Sequence, residues 1–416
     1  MRRSELHGKI IAPSSKSMTH RAVICSTLAR GESQVKYPLS ADDTEATIRA
    51  VQALGAGVKR QKESWFITGG ELNPPTEALD CGESGTTLRL MTAVCALLNA
   101  EIILKGGPSL SGRPVEPLLD ALRQLGIFCQ SHGGNPPVKV HGKGGFDGSE
   151  VTIKGDISSQ FVSALLLIAP FAREQLRVKV TTRLESAPYV GMTLDSMEAF
   201  GAHAEVSKGY REITVRRQVY TPTTFAVEGD WSSGAYMLAA GALAGRVSVE
   251  NLRQGSRQPD STITKILGEM GAELQFHEHE ITIKCAELKG IDWDLTDSPD
   301  LFPIVAVLCS VARGKSKLEG LRRLRFKESD RITSMMEGLN RMGVKTETSD
   351  EAVTINGGSP QGAAINPYND HRIAMSFGVL GLVAGGETTI KNAECVSKSY
   401  PDFWDDLKVL GARIGR

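Results

Sequence analysis

The chain has 416 residues, too many for one simple core, and its 41% hydrophobic and 23% charged content is that of a globular protein with two or three domains. Lys and Arg number 48, Asp and Glu number 48, and the formal net charge is zero. That balance excludes a protein built to coat nucleic acid or an anionic membrane, so any anion site must be a local cluster.

The N-terminus reaches "KIIAPSSKS" without a secretory apolar stretch, so no targeting peptide is expected. No run approaches the roughly 18 apolar residues of a membrane span. The seven cysteines are scattered and form no C-x-x-C, which leaves no zinc or thioredoxin-like signal. Buried, reduced thiols are the expectation, and they suit a cytoplasmic protein.

In chain order, six segments start polar and run into an almost wholly apolar stretch. They are "SSKSMTHRAVICSTLA", "ESGTTLRLMTAVCALL", "SSQFVSALLLIAPFA", "SSGAYMLAAGALAG", "DLFPIVAVLCSVA" and "DHRIAMSFGVLGLVAG". Their starts, Ser15, Ser84, Ser158, Ser232, Asp300 and Asp370, are 68 to 74 residues apart. A helix apolar on all sides is a buried helix, and a Ser or Asp before it reads as an N-cap. A second series of amphipathic helices interleaves, each ending at a glycine: 55, 126, 201, 271, 343 and 411. "EIILKG", "EVTIKG", "EITVRR", "EITIKC" and "AVTING" alternate as strands do. The chain therefore reads as six α/β units of about 70 residues, three to a domain.

Helix N-termini present free N–H groups and partial positive charge, so polar helix starts can trap phosphate or carboxylate. The starts here carry Lys16, Ser17 and Arg21, then Gly85 and Thr86, then Ser158, Ser159 and Gln160, then His371 and Arg372. No P-loop signature is present, and one His beside one Asp in "YNDHR" makes a poor metal site, so no metal is expected. "RFKESDRI" adds Lys327, Glu328 and Arg331 just before a helix-like run.

Taken in order, "PSSKSMTHRA", "SGTTLR", "GRPVEPLLDAL", "DISSQF", "SAPY", "EGDWSSGAY", "KESDR" and "YNDHRIAM" resemble the 5-enolpyruvylshikimate-3-phosphate synthase family, from about residue 8 to 410. The resemblance implies two similar inside-out α/β domains, each of three βαβαββ units. It implies boundaries of 14–227 for one domain and 1–13 plus 228–416 for the other. The implied reaction moves the enolpyruvyl group of phosphoenolpyruvate to the 5-hydroxyl of shikimate 3-phosphate by addition and elimination, with no cofactor. A cytoplasmic monomer follows as the default.

The implied roles are these. Lys16, Ser17, Arg21, Ser158, Ser159, Gln160, Ser186 and Tyr189 would hold shikimate 3-phosphate. Lys16, Gly85, Arg113, Gln160, Arg331, Arg372 and Lys398 would hold phosphoenolpyruvate. Asp300 would take the hydroxyl proton beside Lys327, Glu328 would serve the methylene carbon, and these three with Lys16 would form the catalytic set. Seven cations (Lys16, Arg21, Arg113, Lys327, Arg331, Arg372, Lys398) stand against two carboxylates, so a strongly positive site is expected. Asp330 and Arg325 are expected to be structural or solvated.

Two departures stand out. Glu83 and Arg323 occupy positions where the family often has Asn, and a carboxylate at Glu83 would repel phosphoenolpyruvate unless paired or turned away. Two alternatives remain. The first is the related transferase acting on UDP-N-acetylglucosamine, which usually has a reactive Cys near "SLSGRPVEP", where this chain has none. The second is an inactive anion-binding protein, which would be expected to have lost Asp300, Glu328 or Lys16.

Overall fold

A computed structural model describes residues 1–349 and 352–415. The chain divides into two compact units, Ser14–Val227 and Met1–Pro13 with Glu228–Arg416, each with its own apolar core. The first unit holds helices α1 (Lys16–Leu28), α2 (Asp42–Ala53), α3 (Gly85–Cys95), α4 (Glu116–Gln124), α5 (Ser159–Ile168) and α6 (Ala187–Ala199). The second holds α7 (Trp231–Ala244), α8 (Ile263–Glu269), α9 (Phe302–Val311), α10 (Arg331–Arg341), α11 (His371–Gly381) and α12 (Phe403–Val409).

The repeat is visible in the sheets. Leu79–Asp80, Glu101–Lys105, Asn135–His141 and Phe128–His132 lie side by side in that order. The first pair is parallel, joined across α3, and the others are antiparallel. Glu150–Ile153, Gln175–Val180, Glu212–Arg216 and Glu205–Val206 repeat this pattern, and so do Asp292–Asp294, Lys315–Glu319, Ala352–Asn356 and Lys345–Thr348. These are βαβαββ units. A short parallel pair, Ala364–Ile365 with Thr389–Ile390, flanks α11.

The remaining two sheets explain why one unit is discontinuous in sequence. Leu6–Ile11 is the edge strand parallel to Gly245–Glu250, although it precedes the other unit entirely. Thr224–Ala226 fills the same place beside Gly31–Lys36, at the far end of its own unit. The chain thus crosses between units after residue 13 and after residue 227.

The helix chemistry follows the sequence pattern. Helix α11 buries all its residues and α9 buries Phe302 through Ser310, whereas α4 buries only Leu118, Leu119, Ala121 and Leu122. The six repeat glycines all have φ between +80° and +107°, the left-handed geometry that closes a helix C-terminus. Ser15, Ser84, Ser158 and Asp370 stand at helix N-caps, and the last three accept a backbone N–H through their side chains. Two starts are corrected. The cap of α7 is Asp230, which accepts from Ser233 N, so Ser232 lies inside the first turn. Asp300 lies in a short 3-10 turn, Pro299–Leu301, that leads into α9. Pro299 and Pro303 can each begin a helical turn, and the chain uses both.

Six of the seven cysteines are buried and Cys285 is exposed; none is bridged. Burial pushes the Cys25 thiol up to about 12. Among the described residues no helix is long and apolar enough to cross a membrane.

Candidate active site

In the unit that contains Glu228–Arg416, the sequence before α10 supplies the centre of a charged cluster. Asp330 caps α10 by accepting from Thr333 N, and Arg325 reaches Asp330 at 3.3 Å. Both are structural, as the sequence suggested. The cap places Arg331 at the first helical position. Gly338 then lets α10 close on α11: a Cβ there would lie 2.1 Å from the Phe377 ring.

That approach brings Arg331 to the cap of α11. Arg331 is 1% exposed and its guanidinium meets three carboxylates: Asp370 from Nε (2.9 Å), Asp300 from Nη1 (2.8 Å) and Glu328 from Nη2 (2.5 Å). Burial alone would lower its pKa, but Asp370, Glu328 and Asp300 together raise it. Arg372 Nη2 donates to Asp300 Oδ2 (3.1 Å) and Lys327 Nζ to Asp300 Oδ1 (3.3 Å). Burial would raise the Asp300 pKa, yet Arg372, Lys327 and Arg331 hold it well below the usual carboxylate range. Burial lowers the Lys327 pKa against the pull of Asp300. Lys398 is buried and donates to the Asn369 carbonyl at 2.7 Å.

Asp260, which the sequence did not single out, belongs to the same region. It is 1% exposed, and one carboxylate oxygen accepts from Ser232 Oγ. Burial, then the nearby Asp300 charge, push its pKa up to about 7, against the opposing pull of Arg372. The half-buried Asp300 is thus fixed as the anion while the buried Asp260 is pushed toward its protonated form.

In the unit Ser14–Val227 the partners of Arg21 are neutral. Arg21 is 2% exposed and donates to Thr193 Oγ1 (2.8 Å), the Ser17 carbonyl (2.7 Å) and the Tyr189 carbonyl (3.1 Å). Burial lowers its pKa to about 10. Thr193 passes a hydrogen bond to Ser163, so α1, α5 and α6 share one network. A second network runs from His20 Nδ1 to Thr47, Thr87 and the Ser84 cap, tying α1 to α2 and α3. Burial and then Lys16 and Arg21 hold the His20 pKa well below its ordinary value, so the ring is neutral.

Lys16 pairs with Asp43 at 2.7 Å. Arg89 holds Gln160 Oε1 (2.7 Å), and Gln160 Nε2 donates to Thr86 (2.9 Å). Ser158 caps α5, Ser159 is buried in its first turn, and Ser186 caps α6 with φ +54°. Arg113 is 5% exposed and lies against Gly85, where a Cβ would be 2.9 Å from its guanidinium.

Each unit therefore gathers its own candidates: Asp300, Lys327, Glu328, Arg331, Arg372 and Lys398 in one, and Lys16, Ser17, Arg21, Gly85, Arg113, Ser158, Ser159, Gln160, Ser186 and Tyr189 in the other. Asp43 neutralises Lys16, and Asp370 joins Asp300 and Glu328 around Arg331. The sequence reading missed Asp43, Asp260 and Arg89, and saw Asp370 only as a cap. Arg89 was within sight, one helical turn after Gly85 in "SGTTLR". Nothing local marks Asp260. Arg323 is buried and donates to the Thr296 carbonyl at 2.7 Å.

The profile of the EPSP synthase (3-phosphoshikimate 1-carboxyvinyltransferase) family matches residues 1–407. A 3-phosphoshikimate 1-carboxyvinyltransferase of Dehalococcoides mccartyi is 43% identical over 98% of this chain and 96% of its own. One from Methanosarcina acetivorans is 41% identical over 99% and 97%. The solved EPSP synthase of Acinetobacter baumannii superposes with a TM-score of 0.83 at 29% identity, covering 98% of this chain and 96% of that one.

Proposed function

The chain belongs to the EPSP synthase, or 3-phosphoshikimate 1-carboxyvinyltransferase, family, and from that premise we infer which of its side chains perform the reaction. It transfers the enolpyruvyl group of phosphoenolpyruvate to shikimate 3-phosphate, releases phosphate, and serves the shikimate pathway to aromatic amino acids. The UDP-N-acetylglucosamine and inactive alternatives are not favoured.

The reading assigns shikimate 3-phosphate to Lys16, Ser17, Arg21, Ser158, Ser159, Gln160, Ser186 and Tyr189, with Asp300 and Lys327 at its 5-hydroxyl. Phosphoenolpyruvate falls to Lys16, Gly85, Arg113, Gln160, Arg331, Arg372 and Lys398. The hydroxyl oxygen attacks the central carbon of phosphoenolpyruvate, its proton passes to Asp300, and the methylene carbon takes a proton from Glu328. The resulting tetrahedral intermediate expels phosphate as Glu328 takes a methyl proton back, so Glu328 starts and ends the cycle protonated, and the proton held by Asp300 leaves with the phosphate. Each step needs an acid beside a base, and both types stand next to cations here.

The observation that carries this reading is the grip of Arg331, Arg372 and Lys327 on Asp300. A carboxylate so held is a weak base. Phosphoenolpyruvate brings a carboxylate and a phosphate, both of which compete for the same guanidinium forks. Their arrival loosens the hold on Asp300 and raises its proton affinity at the moment the hydroxyl must be deprotonated. We read the enzyme as a cytoplasmic monomer. The test is phosphate release from phosphoenolpyruvate with either acceptor. Release with shikimate 3-phosphate and none with UDP-N-acetylglucosamine is expected, and the reverse preference would overturn the reading.

A further inference from the structure

Glu83 precedes the cap of α3, two residues before Gly85. A negative carboxylate at that place should oppose any anion held by Gly85 and Arg113. The structure directs it elsewhere. Its Oε2 accepts from Ser109 Oγ and from Leu110 N, the latter at 3.1 Å. Its Oε1 lies over Gly107, where a Cβ would come within 2.2 Å, so the absent side chain at Gly107 makes room for the carboxylate.

These contacts continue to Arg113. Gly107 N donates to the Gly82 carbonyl (2.7 Å), and Leu110 N and Ser111 N turn back to the Gly107 carbonyl (3.1 Å each). Arg113 N closes the turn on the Leu110 carbonyl (3.0 Å). Leu110 is fully buried, and a Cβ on Gly85 would sit 3.7 Å from it, the same glycine that makes room for the Arg113 guanidinium. A carboxylate that accepts two hydrogen bonds in one turn holds it more firmly than a neutral group does.

We propose that Glu83 is a positioning residue: it anchors the 107–113 turn and thereby sets where the Arg113 guanidinium stands at the start of α3. Glu is accommodated where the family often has Asn because its carboxylate is hydrogen-bonded inside the turn. The proposal rests on the reading that Arg113 grips phosphoenolpyruvate.

The experiment compares Glu83→Ala, Glu83→Gln, Ser109→Ala and Arg113→Ala, with the double variant Glu83→Ala/Arg113→Ala, by steady-state kinetics in both substrates. Glu83→Ala should raise KM for phosphoenolpyruvate about tenfold, a loss of one sound hydrogen bond, with KM for shikimate 3-phosphate and kcat within about twofold. Glu83→Gln keeps an acceptor oxygen of the same reach and should stay within about threefold. Ser109→Ala removes one donor and should raise KM for phosphoenolpyruvate about threefold. On the Arg113→Ala background, Glu83→Ala should add nothing, because its effect passes through Arg113.

A fall in that KM in both Glu83 variants would mean that the carboxylate faces the anion, and would overturn the proposal. So would an equal rise for both substrates, or the full Glu83→Ala effect persisting without Arg113. An Arg113→Ala enzyme with unchanged KM would sink the assignment of Arg113 itself. A strong Arg113→Ala effect with a silent Glu83→Ala would sink only the present inference. Should Glu83→Ala fail to fold, Ser109→Ala reads the same contact, and an unaltered KM there overturns the proposal.

Discussion

Arg331 and Arg21 are both buried guanidiniums near the start of a helix, one in each unit, and their surroundings are opposite. Arg331 is ringed by Asp300, Glu328 and Asp370. Arg21 is held by a threonine hydroxyl and two carbonyl oxygens, and among the described residues no carboxylate pairs with it. The pKa directions follow: up for Arg331, down to about 10 for Arg21. Burying a charge without a counter-charge costs free energy, which an arriving anion would offset. We propose that the Arg21 site takes an anion, and that the Arg331 site, where cations and carboxylates already balance, exchanges partners and moves protons.

The largest effect that sharpens this contrast is on turnover. Glu328→Gln keeps the shape and an acceptor for Arg331 but cannot carry a proton. It should lower kcat by about 10²–10⁴-fold in stopped-flow or steady-state phosphate release. Near-normal turnover would remove proton transfer from this cluster.

Stability comes next. Arg331→Met takes a shared charge partner from three carboxylates and should cost about 3–5 kcal/mol in denaturant unfolding. Arg21→Met leaves only neutral acceptors behind and should cost less, about 1–3 kcal/mol. Equal losses would erase the distinction between the two sites.

A smaller, pH-dependent effect belongs to Asp260. Its pKa is raised from 3.8 to about 7 in the fold, so between those values the folded chain holds a proton that the unfolded chain does not. That contribution is present at low pH and is lost as pH rises toward and through 7. Asp260→Asn has no proton to lose. Its melting temperature relative to the parent should climb from pH 5 to pH 8 and then level. Asp300, held low, works in the opposite sense: its contribution is present above about 4 and lost in stronger acid. A difference between Asp260→Asn and parent that ignores pH would mean that the Asp260 pKa is not raised into this range.

Much of the fold was legible because its signal is local. A polar residue before an all-apolar run marked Ser15, Ser84, Ser158 and Asp370 as caps, and a glycine after an amphipathic run marked each second helix. The reading slipped at Ser232, where Asp230 stood two residues earlier as a better acceptor. It slipped again at Asp300, where two prolines offered two places to begin a turn. In the candidate site, charged residues in motifs were visible one by one. Their partners were not. Asp43, Asp260 and Arg89 acquire meaning only when helices distant in sequence pack together, and Gly338 decides the approach of α10 to α11 through a contact with Phe377 that no spacing encodes.

The division of labour between the two guanidiniums can be tested in one pair of variants. Shikimate 3-phosphate is titrated calorimetrically into Arg21→Met and into Arg331→Lys, and KM for phosphoenolpyruvate is measured on both. Arg21→Met should lose about 10- to 100-fold in affinity for shikimate 3-phosphate, the worth of a hydrogen-bonded charge, and Arg331→Lys should stay within about threefold. The KM for phosphoenolpyruvate should show the reverse order, because Lys cannot reproduce the guanidinium fork. Equal losses of shikimate 3-phosphate affinity in the two variants would contradict the account.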